Sequence, residues 1–258
     1  MGMAFANAFL KYDLVKTSDF LLVEKSPERM ETLKEGFRPG VLTGVIDDQL
    51  KDYDLVILSV KPQDFTTVGN NLKEYLSSEQ VVLSIMAGIN TERIRATLNH
   101  ARVVRAMPNT PAMLGMGITA YTATPEVENT QLRKVENLIN ATGRSVYLEN
   151  EDMLDAVTAL SGSGPAYFFY LVKAMVEAGK KMGFDDAVST LLVKQTMLGS
   201  YHLINNAEKT LDELIQAVTS KGGTTEAALR RFEEGAIDQN LQEGIFTARD
   251  RSQELAKG

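Results

Sequence analysis

The feature that most constrains the fold is a change in hydrophobic periodicity near residue 150. Before it, short apolar runs alternate with segments of helical spacing, whereas every apolar segment after it has helical spacing. Strands that alternate with helices predict βαβ units and a mainly parallel sheet covered on both faces. We therefore predict an α/β domain over residues 1–150 and an all-helical domain over residues 151–258.

The apolar runs give the order of the expected elements. Strands are predicted at 20–23, 55–60, 81–86, 103–106, 118–123 and 145–148, and helices between them at 4–11, 28–34, 72–76, 91–98 and 131–141. Few helical residues separate the last two runs, which predicts an antiparallel part of the sheet. In the second domain, helices are predicted at 154–160, 165–182, 186–206, 211–218, 226–234 and 239–256. Pro165 suits a first helical turn and Gly183 the position after a helix.

Composition narrows the chemistry. The 258 residues include 27 Lys and Arg against 34 Asp and Glu, and the resulting charge of −7 argues against nucleic acid or an anionic membrane as the main partner. With no Cys and only His100 and His202, thiol chemistry and His-rich metal sites are excluded. No apolar run reaches the ~20 residues of a membrane span, and no basic leader is visible. We expect a cytoplasmic protein, and an enzyme of this composition would depend on a cofactor, hydroxyls, backbone groups and charges.

The loop after the first predicted strand reads Glu24-Lys25-Ser26-Pro27-Glu28-Arg29. In a dinucleotide-binding unit this loop holds the adenosine ribose. An acid such as Glu24 favours the free diol of NAD, whereas Lys25, Ser26 and Arg29 suit a 2′-phosphate. The alternative is a helix start in which Ser26 is the cap and Pro27 the first helical residue.

The glycine-rich loop of such a unit belongs about 20 residues earlier. Gly2 stands where the third glycine of G-x-G-x-x-G would open a helix, and the first strand and first two glycines are not in the sequence. We hypothesise that the natural chain begins about ten residues earlier, with Met1 inside the glycine loop. The first strand normally lies centrally, so its loss would expose apolar faces.

Three more strand exits carry stiff loops. They read Ser59-Val60-Lys61-Pro62-Gln63, Met86-Ala87-Gly88-Ile89-Asn90 and Arg105-Ala106-Met107-Pro108-Asn109-Thr110-Pro111. Proline ends a strand and stiffens its exit, and Gly88 allows a turn with close approach of a ligand. Each loop alone is explained by the need to end a strand and turn the chain, but three such loops at one sheet edge favour a binding site.

Two further motifs lie in the helical half. One is the string Leu160-Ser161-Gly162-Ser163-Gly164-Pro165-Ala166-Tyr167, and the other is the loop Lys221-Gly222-Gly223-Thr224-Thr225 before a predicted helix. A helix N-terminus offers free N–H groups and the positive end of the dipole, which suits a small carboxylate. Ordinary capping by Thr224 or Thr225 is the alternative.

With these motifs in order and spanning most of the chain, the sequence resembles the pyrroline-5-carboxylate reductases. The carrying residues are Val60-Lys61-Pro62, Ala87-Gly88, Arg105-x-Met107-Pro108-Asn109-Thr110-Pro111, the string 160–167 and Gly222-Gly223-Thr224-Thr225. The resemblance implies an N-terminal Rossmann domain, an all-α dimerisation domain and, in some members, rings of dimers. It also implies hydride transfer from NAD(P)H to 1-pyrroline-5-carboxylate, which yields L-proline.

The resemblance also assigns site residues. For the cofactor, with NADP(H) preferred and NAD(H) open, these are Met1, Gly2, Lys25, Ser26, Val60, Lys61, Pro62, Ala87 and Gly88. For the substrate they are Ser161, Ser163, Glu208, Gly222, Gly223, Thr224 and Thr225. Thr225 matches the residue whose hydroxyl reaches the ring nitrogen, so it is the expected catalytic residue. Ser163 as a helix cap and Glu208 as solvated surface are the alternatives.

One departure from the family pattern is Lys221, which replaces the usual proline of that loop. It would either add a cation near the substrate carboxylate or loosen the loop. Two other functions stay open at this point. A β-hydroxyacid-type or 6-phosphogluconate-type dehydrogenase shares the architecture but uses a Lys of its second domain as acid and base. A non-catalytic, NADP-binding oligomer is the other alternative, and the absent glycine loop is its main support.

Overall fold

The structure is a computed structural model that describes residues 1–36 and 41–257. The chain divides into two units. The first contains Met1–Ser163 together with Ala248–Gly258, and the second contains Gly164–Thr247.

The first unit contains the predicted alternation of strands and helices. Its strands are β1 Leu21–Val23, β2 Val41–Thr43, β3 Leu55–Leu58, β4 Val81–Ser84, β5 Val103–Met107, β6 Gly117–Ala123 and β7 Gly143–Tyr147. Its helices are α1 Gly2–Lys11, α2 Pro27–Gly36, α3 Phe65–Leu72, α4 Thr91–Leu98, α5 Asn129–Asn140 and α6 Met153–Val157. A π-helical turn, Thr158–Gly162, continues α6.

The main sheet of the first unit has the strand order β3-β4-β5-β6-β7. Its strands are parallel except for β5 and β6, which pair antiparallel with Ala106 opposite Tyr121. The expected antiparallel part of the sheet is confirmed, but the last two runs do not form it, because α5 provides the long crossover that lets β6 and β7 run parallel. The antiparallel pair is instead β5 and β6, which only a short loop joins.

β1 and β2 form a separate, parallel, two-stranded sheet. Among the described residues, no ladder joins this sheet to the main one. Residues of β1 and β3 line a groove of about 660 Å³, together with the buried rings of Phe5 and Phe9 from α1. The strand expected before Met1 stays a prediction.

Two apolar clusters pack on the strands of the main sheet. On β4, Val81 and Leu83 belong to one cluster and Val82 to the other, as the alternation of side chains along a strand requires. The first cluster includes Phe5 of α1 and Ile139 of α5. The second is built mainly with α3 and α4 and contains Phe65, Leu72, Ile94 and Leu98. Helices therefore pack against the sheet in both clusters, and the loops at the strand ends are not needed for the core.

The second unit is helical, as predicted. It contains α7 Gly164–Lys181, α8 Asp186–Asn206, α9 Leu211–Ala217, α10 Thr224–Glu234 and the first half of α11, Ile237–Lys257. α7 packs against α8 where Gly179 lies against Ser189. Within the described residues, no helix combines the length and apolar character needed to cross a membrane.

Two details of the α/β half differ from expectation. β2 was not predicted, because three residues are too few to show a period of two. The helix expected at 72–76 is wrong. The helix is instead α3, which starts at Phe65 after a short 3₁₀ turn, Pro62–Asp64, and ends at Leu72. Phe65 and Leu72 are seven positions apart and therefore share its buried face.

Candidate active site

The predicted nicotinamide-side residues lie in loops that leave adjacent strands of the main sheet. Val60, Lys61 and Pro62 follow β3, and Ala87 and Gly88 follow β4. Because β3, β4 and β5 are paired in parallel, their carboxyl ends share one edge of the sheet. Open α/β sheets bind ligands at this edge.

The start of α1 lies against the exit of β3. A methyl group placed on Gly2 would overlap the Ser59 side chain, so a glycine is needed for this close approach. Close packing of helix on strand is what the third glycine of a dinucleotide loop provides, and the sequence predicts this role for Gly2. Met1 precedes the helix, and its carbonyl oxygen accepts the Ala4 amide at 2.8 Å. In the described part of the chain the amides of Gly2 and Met3 have no acceptor, as expected of a helix start that faces an anion.

The loop after β1 is organised around Glu24. Its carboxylate accepts the Ser26 amide at 3.0 Å and pairs with Nε of Arg29 at 3.1 Å. Ser26 Oγ accepts the Arg29 amide at 3.4 Å, which is the helix cap that the sequence offers as its alternative role. Nζ of Lys25 lies 3.6 Å from Asp64 Oδ1, so the loops after β1 and β3 are neighbours. The predicted ribose-phosphate residues thus adjoin the predicted nicotinamide-side residues.

The loop after β5 holds Ser161 in place. The side-chain amide of Asn109 donates to Ser161 Oγ at 3.2 Å, and its oxygen accepts the Ile118 amide at 3.1 Å. Ser163 lies at the end of the π-helical turn, where its amide donates to Thr158 O at 2.8 Å. Asn109 belongs to one of the sequence motifs, between two prolines, but no role in the site was predicted for it. Asn109 is the side chain that brings Ser161 to the exit of β5.

The N-terminus of α10 carries the Gly-Gly-Thr-Thr loop. Its N-cap residue is Gly223 and no side chain caps the helix, so capping by Thr224 or Thr225 is not the arrangement observed. The Gly222 amide donates to Glu226 Oε2 at 2.8 Å and the Gly223 amide to Ser220 O at 2.9 Å. The amides of Thr224 and Thr225 have no acceptor among the described residues. Both of these N–H groups are therefore available to an anion.

The predicted residues are distributed over both units. All the cofactor residues belong to the first unit, as do Ser161 and Ser163, whereas the Gly-Gly-Thr-Thr loop and Glu208 belong to the second. Glu208 is exposed between α8 and α9 and makes no hydrogen bond or ion pair with the described part of the chain. Its role in substrate binding stays a prediction.

A buried charged cluster is absent from the sequence-based prediction. Arg105 of β5 is 4% exposed, and its guanidinium lies 3.0 Å from Glu151 Oε1 and 3.6 Å from Asp155 Oδ1. Glu151 also accepts the amide of Thr91, the first residue of α4, at 2.8 Å, and the Thr91 hydroxyl. The sequence did contain a signal for this cluster. Arg105 is a charged residue inside the apolar run 103–106, and a buried Arg needs acidic partners.

Comparison with known proteins identifies the family. Residues 151–255 match the family described as pyrroline-5-carboxylate reductase dimerisation, and residues 1–88 match the family of coenzyme F420-dependent NADP oxidoreductases. A pyrroline-5-carboxylate reductase of Pseudomonas aeruginosa is 41% identical over 211 residues, which cover 81% of this chain and 77% of that protein. The Mycobacterium tuberculosis enzyme is 36% identical, with coverage of 93% and 88%. This chain belongs to the pyrroline-5-carboxylate reductase family.

Solved structures of the family share the fold. A pyrroline-5-carboxylate reductase of Coxiella burnetii aligns with a TM-score of 0.87 at 32% identity and covers all of this chain and 95% of its own. A pyrroline carboxylate reductase of Plasmodium falciparum, solved with NADP bound, also aligns at 0.87 with 25% identity, covering 99% of this chain and 94% of its own. The predicted fold class, an N-terminal Rossmann-like domain followed by a helical dimerisation domain, is confirmed.

Proposed function

We propose that this chain reduces 1-pyrroline-5-carboxylate to L-proline, the last step of proline biosynthesis, with hydride from NAD(P)H. The observation that carries this proposal is the N-terminus of α10, where Thr224 and Thr225 keep their amides free in a chain of the reductase family. We also propose residues 1–150 as the NAD(P)-binding domain and residues 151–258 as the substrate and dimerisation domain. The dimer, its assembly into a larger ring and a cytoplasmic location stay predictions.

The amides of Thr224 and Thr225 supply the recognition of the substrate carboxylate. They lie in the first turn of an 11-residue helix, so the positive end of its dipole adds to their hydrogen bonds. The amides of Gly222 and Gly223 are engaged within the loop, so these two residues shape the turn. Lys221 adds a cation directly before it. A carboxylate with two amide partners is held in one orientation.

The Thr225 hydroxyl has no hydrogen-bond partner among the described residues and is free to reach the ring nitrogen of the substrate. Reduction of a C=N bond needs a donor near nitrogen and a hydride at carbon. The nicotinamide supplies that hydride when it is bound, at the loops that contain Val60–Pro62 and Ala87–Gly88. An iminium is already an electrophile, so the side chains need only bind, orient and exchange a proton.

The decisive test is NADPH oxidation with 1-pyrroline-5-carboxylate, followed by the loss of NADPH absorbance. We expect Thr225→Ala to lower kcat by roughly 10-fold or more, because it removes the proton donor. Thr225→Ser keeps the hydroxyl and is the matched control. An unchanged kcat in Thr225→Ala would reduce the residue to a structural role.

The preference for NADP over NAD is part of the proposal. Glu24, the acid that would favour NAD, is already engaged by the Ser26 amide and Arg29. The pair with Arg29 partly neutralises the charge of Glu24. A 2′-phosphate would then meet the Ser26 hydroxyl, the Arg29 nitrogens other than Nε, and Lys25, whose Nζ also lies 3.6 Å from Asp64 Oδ1. We expect Ser26→Asp to lower kcat/KM for NADPH at least 10-fold through charge repulsion, roughly one 1.4 kcal/mol step, and to spare NADH. Ser18→Asp, on an exposed turn, is the control; equal losses with both cofactors would contradict the preference.

A non-catalytic, NADP-binding oligomer is the competing function. Because a dinucleotide site needs a glycine loop, the assay should also include a chain extended before Met1 by the strand and glycine loop predicted from the sequence. Activity in either chain supports the reductase. NADPH binding without turnover in both would favour the non-catalytic protein, and turnover of a β-hydroxyacid instead would favour the related dehydrogenases.

A further inference from the structure

The last turns of α11 lie on the loop that follows β4. Gly88 in that loop is buried and has φ of +72°. A methyl group placed on it would lie 3.4 Å from Cβ of Leu255 and 3.8 Å from the amide nitrogen of Ala256. The backbone of α11 therefore covers one side of the turn Ala87–Gly88.

A buried hydrogen bond holds the same turns of α11. Ser252, 5% exposed, donates from Oγ to Asp155 Oδ1 at 2.8 Å. Ser252 and Leu255 are three positions apart, so they lie on the same face of the helix. The bond to Asp155 consequently fixes the rotation of α11 about its axis and its position along that axis, and so determines how Leu255 contacts Gly88.

The partners of Asp155 extend this arrangement to the other end of the loop. Asp155 lies beside Arg105, which also pairs with Glu151. Glu151 in turn binds the amide and hydroxyl of Thr91, three residues beyond Gly88. The loop between β4 and α4 is thus held at Thr91 by Glu151 and covered at Gly88 by α11, and the buried side chains of Arg105 and Asp155 connect the two contacts.

We propose that Ser252 and Leu255 form a C-terminal latch that positions the Ala87–Gly88 turn for the nicotinamide half of the cofactor. Both are positioning residues, since they act through Gly88. The proposal rests on the proposed function, which places the nicotinamide at this turn. The local sequence of the cofactor loops does not predict this contact, because Ser252 lies 97 positions from Asp155.

The test compares Leu255→Gly, which removes the Cβ that faces Gly88, with Gln253→Gly, the same kind of substitution at an exposed position in the same turns of α11. Loss of the contact should raise KM for NADPH roughly 5-fold, with kcat within about 2-fold and KM for 1-pyrroline-5-carboxylate unchanged. Ser252→Ala should do the same and Ser252→Thr, which keeps the hydroxyl, should restore the native value. A purely structural defect would lower kcat through loss of folded enzyme and leave KM unchanged.

Hydrogen–deuterium exchange without cofactor separates the latch from the proposed function. We expect the amides of residues 87–91 to exchange faster in Leu255→Gly and Ser252→Ala than in the wild type or Gln253→Gly. Unchanged exchange overturns the latch, and so does faster exchange with an unchanged KM for NADPH. A wild-type chain that binds no NADPH overturns the proposed function, and with it the cofactor role of the latch.

Discussion

In the first unit Leu83 and Ile139 are fully buried, whereas in the second unit Leu191 and Leu203 are 67% and 62% exposed. The difference is general. All the buried apolar side chains of the described residues belong to the first unit, and in the second only Gly164, Gly179 and Ser189 are buried. The first unit encloses its own core, but the second leaves large apolar faces uncovered in the single chain. Apolar surface on this scale marks an interface, as the dimerisation family of residues 151–255 indicates.

The strongest test of this difference is to place a charge on the exposed apolar face of α8. We expect Leu191→Asp to weaken dimerisation at least roughly 100-fold, because an unpaired carboxylate would be buried against the partner. Sedimentation velocity over a range of protein concentrations measures the dimer. Val45→Asp is the matched control, since Val45 is a 61% exposed apolar residue of the first unit. If both variants dissociated alike, exposure would not distinguish the units.

Matched Leu→Ala substitutions test whether each unit buries its apolar side chains within one chain or against a partner. Leu83→Ala should lower the free energy of unfolding by about 3 kcal/mol at any protein concentration, since it leaves a cavity inside one chain. Leu192→Ala, at a half-exposed position of α8, should cost as much only where the dimer is populated. Urea unfolding at low and high protein concentration measures both. A cost for Leu192→Ala that is independent of concentration would mean that the second unit needs no partner.

The two halves also differ in what the sequence could predict. Helices such as α8 and strands such as β4 follow from periodicity, because a long helix and a buried strand each repeat their pattern locally. The groups near the site that were missed are held by distant partners. Arg105 meets Glu151 46 positions away, and Asn109 meets Ser161 52 positions away. Such pairings arise only when the sheet edge forms, so local pattern could mark Arg105 as unusual but could not name its partners.

The motifs predicted which residues belong to the site, and the structure adds the hydrogen bonds and ion pairs that these residues make. The sequence left NAD and NADP open because Glu24 and Lys25 pull in opposite directions. The ion pair between Glu24 and Arg29 depends on how α2 leaves β1, a geometry that the sequence does not show. The same holds for α10, where the choice between a Thr cap and free amides depends on which residue begins the helix.

Tyrosine ionisation extends the comparison to polar groups. Burial, with a hydrogen bond to Glu136, raises the pKa of Tyr121 well above its ordinary value, whereas Tyr170 and Tyr201 of the second unit are exposed. An ultraviolet titration should therefore show a late ionisation phase at high pH that belongs to Tyr121. Because the folded-state pKa is the higher one, the stability from neutral Tyr121 is present below about pH 10 and declines above it. Tyr121→Phe should remove the late phase and leave the rest of the titration curve unchanged; a late phase that survives in Tyr121→Phe would contradict this assignment.

Helix caps should be the one feature that treats both units alike. Thr210 caps α9 in the second unit through the Glu213 amide at 3.2 Å, and Glu213 accepts the Thr210 amide at 2.7 Å. In the first unit Asn90 caps α4 through the Arg93 amide at 2.8 Å. We expect Thr210→Ala and Asn90→Ala each to cost about 1 kcal/mol of unfolding free energy, with Thr210→Ser near neutral. Since a cap acts within its own helix, neither cost should vary with protein concentration. A concentration-dependent cost for Thr210→Ala would place α9 at the subunit interface and extend the uncovered surface beyond α7 and α8.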